Sequence, residues 1–226
     1  MIVAIVPARG GSRALPRKNL RRIGGRSLVE LAVIVARASP SVGRVIVSTD
    51  DDAIAREAER AGAEVPFRRP AELAGDEAPT IDVLRHACSA LEAAGATIDI
   101  VVTLQPTTPH RTAELVETAI SAVRDGGADS AVTVEDLGAP WSTVGYVDDG
   151  TFHRSAFAGA DERRQTSPPA ARLTGAVYVT RRTLIEEGLV IGPRCAAVAT
   201  GGASTIDIDS LADLVRARRA GASGST

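Results

Sequence analysis

Aromatic side chains are almost absent from this chain: three phenylalanines, two tyrosines and one tryptophan make up 3% of its 226 residues. That scarcity removes the stacking platforms on which single-stranded nucleic acid is bound. Positive charge is not in excess either, since the net charge of −2 supplies no broad field to attract duplexes or anionic membranes. Only two cysteines occur, Cys88 and Cys195, with no C-x-x-C pair, so neither a disulfide framework nor a zinc site is expected. Long hydrophobic runs are missing as well. The first apolar stretch, Ile2 to Pro7, is far too short for a membrane span and lacks the basic-then-apolar order of a secretory signal. A cytoplasmic setting is therefore expected, with no nucleic acid and no membrane among the partners.

What is present suits a globular chain, with 44% hydrophobic and 24% charged residues. The length fits one large domain over residues 1–226. Short apolar runs, "IVAIV" (2–6), "RVIVST" (44–49), "IDIVVTL" (98–104), "SAVTV" (130–134) and "GAVYVT" (175–180), read as strands with little polar alternation. Strands of that kind belong in a sheet covered on both faces. Between them, segments 27–39, 51–62, 80–95 and 112–127 carry apolar residues at helical spacing. Ser27, Asp50 or Asp51, and Thr112 stand as N-caps, and Gly62, Gly95 and Gly126 as stops. Strand then helix, repeated, predicts an α/β fold with a three-layer, Rossmann-like, mostly parallel sheet. Residues 138–172 break the pattern with turn signals at Asp149-Gly150 and Pro168-Pro169, and predict an inserted arm or hairpin. A helix over 210–220 closes the chain, followed by a frayed tail.

Four strings carry chemistry. "ARGGSRALPRKN" (8–19) follows the first strand, where open parallel sheets hold ligands. Gly10 and Gly11 allow close backbone approach, Ser12 adds a hydroxyl, and Arg9, Arg13 and Lys18 add charge, a set suited to a polyanion. The string is neither a P-loop nor a dinucleotide fingerprint. On these residues alone it reads either as a phosphate cradle or as a solvated loop with incidental arginines. In "STIDIDSLADL" (204–214), Asp207 and Asp209 are two apart on a strand-like stretch, so both carboxylates face one side and suit Mg²⁺. The competing reading makes Asp209 a helix cap. "LQPTTPHR" (104–111) offers Gln105 and Thr107 as hydrogen-bonding groups, or is a plain connection. In "FRRPAELAGDEAPT" (67–80), Arg68 or Arg69 can reach a base edge or a phosphate.

In this order, the strings resemble the acylneuraminate cytidylyltransferase family, which activates nonulosonic (sialic-acid-like) sugars. "STDDDAIAREAERAGAEV" and "GAVYV" add to the likeness, which extends over residues 1–216. The resemblance implies a nucleotidyltransferase that passes CMP from CTP to an acidic acceptor, releasing pyrophosphate with Mg²⁺ as cofactor. It implies nucleotide contacts from Ala8, Arg9, Gly10, Gly11, Ser12, Lys18, Asn19, Arg69 and Thr80. Acceptor contacts would come from Gln105, Thr107, Ser142, Arg164, Gln165 and Thr174. Arg9, Lys18, Asp207 and Asp209 would be catalytic, and the two aspartates would hold the metal. A homodimer is implied, with residues 138–172 as its dimerisation arm.

Departures from the family pattern fall mainly on the acceptor side. Thr174 in "TGAVY" stands where sialic acid enzymes commonly have asparagine, and Ser142 in "PWSTV" where they have lysine. Ala14 replaces a glycine in the opening loop. The nucleotide half of the reaction is thus better supported than the acceptor half. A small phosphonate acceptor and a non-catalytic nucleotide-binding protein stand as alternatives.

Overall fold

The computed structural model describes residues 1–12, 14–154, 165, 167–201 and 205–223. Ile2–Pro7 forms β1 at the interior of a six-stranded sheet, parallel to β4 (Arg44–Ser48) on one side and to β5 (Ile100–Thr103) on the other. Beyond β5 the long β9 (Pro169–Arg181) runs antiparallel to both β5 and β6 (Ser130–Pro140), and β10 (Cys195–Ala199) pairs parallel with β6. The order is β10-β6-β9-β5-β1-β4. Two small antiparallel pairs lie outside it, β2 (Arg22–Ile23) with β3 (Arg26–Ser27) and β7 (Gly145–Asp148) with β8 (Thr151–Arg154).

Alternation along β1 divides the core. Ala4 and Val6 face a layer made by α1 (Leu28–Ala38), α2 (Asp52–Arg60) and α4 (Ala113–Arg124), whereas Val3 and Ile5 face α3 (Thr80–Ala93) and Ile185 of α5 (Arg182–Glu187). The expected three layers and mostly parallel sheet are thus present. Helix entries follow the predicted chemistry. Ser27 and Glu30 form a reciprocal capping box, Asp51 accepts from the Ala53 and Ile54 N–H groups at 2.7 and 2.9 Å, and Thr112 accepts from Leu115 N–H at 3.2 Å. Gly62 and Gly95 follow their helices at φ 91° and 90°.

Several expectations need correction. The strands seen as 130–134 and 175–180 are the inner parts of longer ones, because Glu135 opposite Arg172 and Asp136 opposite Ala171 carry the pairing outward through polar positions. α5 and β10 were not foreseen; "CAAVA" has too few β-branched residues to announce a strand. Residues 206–209 belong to no strand of the sheet and are tied to the turn after β5 by Ile208 N–H, which donates to the Thr107 carbonyl at 2.8 Å. The last helix, α6, runs over Leu211–Ser223, through part of the expected tail.

A third apolar cluster joins Leu15 of the opening loop to Ile208, and to Leu214 and Ala217 of α6. Each large side chain in it contributes about 2 kcal/mol of burial. The two ends of the sequence are thereby packed together beside the carboxyl end of β1.

Candidate active site

The loop leaving β1 is shaped by groups distant in sequence. Ala8 is buried and its N–H donates to the Ser48 carbonyl at 3.0 Å. Gly10 N–H donates to Asp50 Oδ1 at 2.8 Å, and a Cβ at this glycine would lie 2.8 Å from Asp51 Cβ. Glycine is thus required at position 10 by the close approach of the α2 cap. Gly11 meets nothing and stays open. The Asn19 side chain, nearly buried, donates to the Arg9 carbonyl at 2.8 Å and closes the loop on itself.

A cleft of about 280 Å³ opens at this point, lined by Arg9, Lys18, Asn19, Arg69, Thr80, Gln105, Thr107, Asp207 and Asp209 among others. Gly11 and Ser12 border an adjoining hollow that shares Arg9, Gly75 and Asp76 with it. Strings separated by most of the chain length converge on one place.

Each cleft cation is held. Arg9 forms an ion pair with Asp76, and Lys18 Nζ donates to Asp209 Oδ1 at 2.9 Å. Arg69 is 5% exposed; its Nε donates to Ser48 Oγ at 3.1 Å and its Nη2 to the Ser48 carbonyl at 2.6 Å. Burial lowers its pKa to about 10, with Asp50 opposing the shift and Arg9 adding to it, so the guanidinium stays charged at neutral pH. Two of its donors are spent on the end of β4, which makes it a fixed charge in the wall. Arg68 instead pairs with Asp52 at the surface.

The aspartates differ. Asp207 is half-buried, with Oδ1 lacking a hydrogen-bond partner among the described residues, while Asp209 is exposed and faces Lys18. Asp209 does not cap α6. That role belongs to Ser210, whose Oγ accepts from Asp213 N–H at 3.2 Å while Asp213 Oδ2 accepts from Ser210 N–H at 2.9 Å. Both carboxylates line the cleft, while Ile208 between them packs into the apolar cluster. Among the described residues no group of three or more His, Cys, Asp or Glu is arranged for a metal. A pair of carboxylates with one buried, unpartnered oxygen fits Mg²⁺, which takes one or two carboxylates and completes its shell with phosphate and water.

Arg111 was not singled out from the sequence. Fully buried, it gathers the turn after β5: its Nε donates to the Thr108 carbonyl at 2.9 Å, and its Nη2 to Thr108 Oγ1 at 2.9 Å and to the Gln105 carbonyl. Burial lowers its pKa to about 9, and Asp207 opposes that shift. Arg111 therefore shapes the turn bearing Gln105 and Thr107 and feels the Asp207 charge. Burial, and after it Asp207, raises the pKa of Tyr178. The place of Arg111 in "LQPTTPHR" was a signal, but spacing alone does not tell a buried arginine from an exposed one.

Of the remaining acceptor candidates, Thr174, Ser142 and Gln165 do not border the cleft. Thr174 is buried, with Oγ1 2.8 Å from Thr133 Oγ1. Ser142 is buried in a short 3₁₀ turn (Trp141–Thr143), its N–H donating to Ser167 Oγ at 2.9 Å. Gln165 is exposed, and Arg164 lies outside the described residues. Gly175 comes near, since a Cβ there would lie 3.2 Å from Gln105 Oε1. The histidines stand apart: His86 meets Phe67 edge-on, His110 Nε2 lies 2.8 Å from the Ala217 carbonyl, and His153 stacks on Tyr146.

An α/β sheet with a basic, carboxylate-bearing cleft beyond its strand ends defines a nucleotidyltransferase-like protein. The fold aligns with a solved CMP:2-keto-3-deoxy-manno-octonic acid synthetase complexed with CTP at a TM-score of 0.74 and 22% identity, over 99% of both chains. The family model for cytidylyltransferase matches residues 3–175, and the chain belongs to that family, whose enzymes transfer CMP from CTP. Among curated proteins it is 29% identical to a CMP-N,N'-diacetyllegionaminic acid synthase of Legionella pneumophila, over 94% of this chain and 92% of the relative. It is 26% identical to a pseudaminic acid cytidylyltransferase of Campylobacter jejuni, over 94% and 92%.

Proposed function

We propose that this cytidylyltransferase moves CMP from CTP to the hydroxyl of a nonulosonic sugar acid and releases pyrophosphate. The observation that carries the reading is the convergence, in one cleft, of Arg9 and Lys18 with the Asp207–Asp209 pair and with Gln105 and Thr107. The names of the relatives, legionaminic acid synthase and pseudaminic acid cytidylyltransferase, support the sugar class.

In this reading the oxygen of the acceptor displaces pyrophosphate in line at the α-phosphorus, so the protein's work is positioning and charge neutralisation. Arg9 and Lys18 exchange their carboxylate partners, Asp76 and Asp209, for phosphate oxygens, and Lys18 balances the charge that grows on the leaving group. Gly11 N–H and the Ser12 hydroxyl hold the phosphate tail. Arg69 contributes a fixed positive charge at the wall, and Thr80, at the head of α3, faces the nucleoside. Gln105 and Thr107, held by Arg111, orient the acceptor. Asp207 and Asp209 would hold Mg²⁺, which when bound supplies charge screening and lowers the pKa of a hydroxyl beside it. Residues 138–172 act as a dimerisation arm in a homodimer, presenting the exposed Tyr146, Val147 and Phe152 of the β7–β8 hairpin to the second copy.

The test is a panel of nonulosonic acids and small phosphonates incubated with CTP and Mg²⁺, read as pyrophosphate release and as the mass of the CMP conjugate. A CMP–sugar acid is the expected product. A conjugate formed only with a phosphonate overturns the acceptor assignment, and turnover with GTP but not CTP overturns the nucleotide assignment.

A further inference from the structure

The opening loop and the residues just after it contribute to three cavities, one of them the small hollow beside Gly11 and Ser12. Lys18 and Asn19 line the catalytic cleft, while Pro16, Arg17, Leu20 and Arg21 line a separate hollow of about 440 Å³ against α2. Ala53, Arg56, Glu57 and Arg60 of α2 complete its other wall, at the i, i+3, i+4, i+7 spacing of one helix face. With Arg22, the hollow holds five arginines and one glutamate, in a chain whose net charge is −2.

The arginines are not equivalent. Glu57 Oε1 accepts from Arg22 Nη2 at 3.1 Å and from Arg60 Nη1 at 2.8 Å, and Arg21 Nε donates to the Pro16 carbonyl at 3.1 Å. Among the described residues, neither Arg17 nor Arg56, one on each wall, has a side-chain partner. Arg17 also adopts φ 54°, ψ 37°, a left-handed conformation that a glycine would take more readily. A charged side chain is thus kept at a position whose backbone favours glycine, and it faces the hollow.

We propose that this hollow is a second polyphosphate site, distinct from the catalytic cleft, which binds an oxyanion of two or more linked phosphates between Arg17 and Arg56. Guanidinium forks match phosphate oxygens in pairs, and two unpartnered forks on opposite walls call for an anion with oxygens on both sides. A single glutamate already shared by two arginines leaves the surplus charge unbalanced, which a multiply charged ligand corrects. Neither the metal nor the acceptor assigned to the catalytic cleft enters this inference.

The site is tested by calorimetric titration of the full chain with sodium pyrophosphate at constant low ionic strength. Arg17→Gly suits the left-handed backbone and Arg56 is exposed, so the double variant R17G/R56A keeps its fold, checked by circular dichroism melting. The wild-type titration is expected to contain a binding component that the double variant loses or binds at least tenfold more weakly. A control double variant, R124A/R194A, removes the same charge elsewhere and is expected to keep that component. Repeating the titration with ATP distinguishes the free anion from a nucleotide's phosphate tail as the source. Identical titrations for wild type and R17G/R56A with both ligands overturn the proposal. So does equal loss in the control, which would assign the effect to overall charge, or orthophosphate binding there as tightly as pyrophosphate.

Discussion

Around Lys18, polar groups are tied across the fold: Lys18 to Asp209, Arg69 to Ser48 and Gly10 N–H to Asp50, while Asn19 closes the loop on the Arg9 carbonyl. In the β7–β8 hairpin every residue of both strands is exposed, and among the described residues the strands pair only with each other. The first region is held rigidly by burial and long-range hydrogen bonds, as a preorganised charge site demands. The second shows apolar side chains to solvent and derives its order from the Asp149-Gly150 turn, at φ 42° and 74°. Substitutions in the cleft should therefore act on chemistry, and substitutions in and beside the arm on association or stability.

The largest effect is expected from Asp207→Ala. Losing the half-buried carboxylate should lower turnover on the order of 10³-fold while the chain still folds, by analogy with removal of one group that stabilises transition-state charge. Pyrophosphate release measures it, and activity within tenfold of wild type would remove the metal role. Next is Arg111→Ala, which leaves the Gln105–Thr108 turn unsupported beside the Asp207 charge and should cost roughly 3 kcal/mol in urea unfolding. Arg111→Lys should recover part of that stability. Lys18→Ala should weaken CTP binding by roughly 1.5–3 kcal/mol, about 10- to 150-fold, as for a hydrogen bond from a charged group. Calorimetry reads it, and unchanged affinity would make the opening loop a solvated one. Smallest is Thr174→Val, which should cost about 1 kcal/mol of stability through the lost contact with Thr133 and leave the KM for CTP unchanged. A rise in the KM for the acceptor alone would return Thr174 to the site and narrow the contrast between the two regions.

Local rules made much of this legible. Ser27, Asp51 and Thr112 cap helices because their side chains bond to N–H groups two or three residues away, a relation visible in any short window. Gly62 and Gly95 end helices for equally local reasons. Arg111 was not legible, because its significance lies in being buried and in facing Asp207, 96 positions along the chain. Segment 206–209 looked like a sheet strand because its alternation is that of a strand. Alternation reports which side is apolar, and here the apolar side packs on Leu15 and α6. Gly10 suggested room for phosphate, yet the structure shows it also makes room for Asp51.

By itself, the sequence determined the alternation of strands and helices, the order of the motifs and the membership of a family, since all of these rest on local periodicity and on spacing along one chain. Only the tertiary structure decided that Lys18 meets Asp209, that Thr174 is spent on Thr133, and that Arg17 parts from Lys18 to face a different cavity. Those outcomes depend on which distant segments pack together to bury Leu15, Ile208 and Leu214, a many-body balance of apolar burial that no short window contains. The opening loop thus supplies Lys18 to the cleft at the end of β1 and Arg17 to a separate basic hollow.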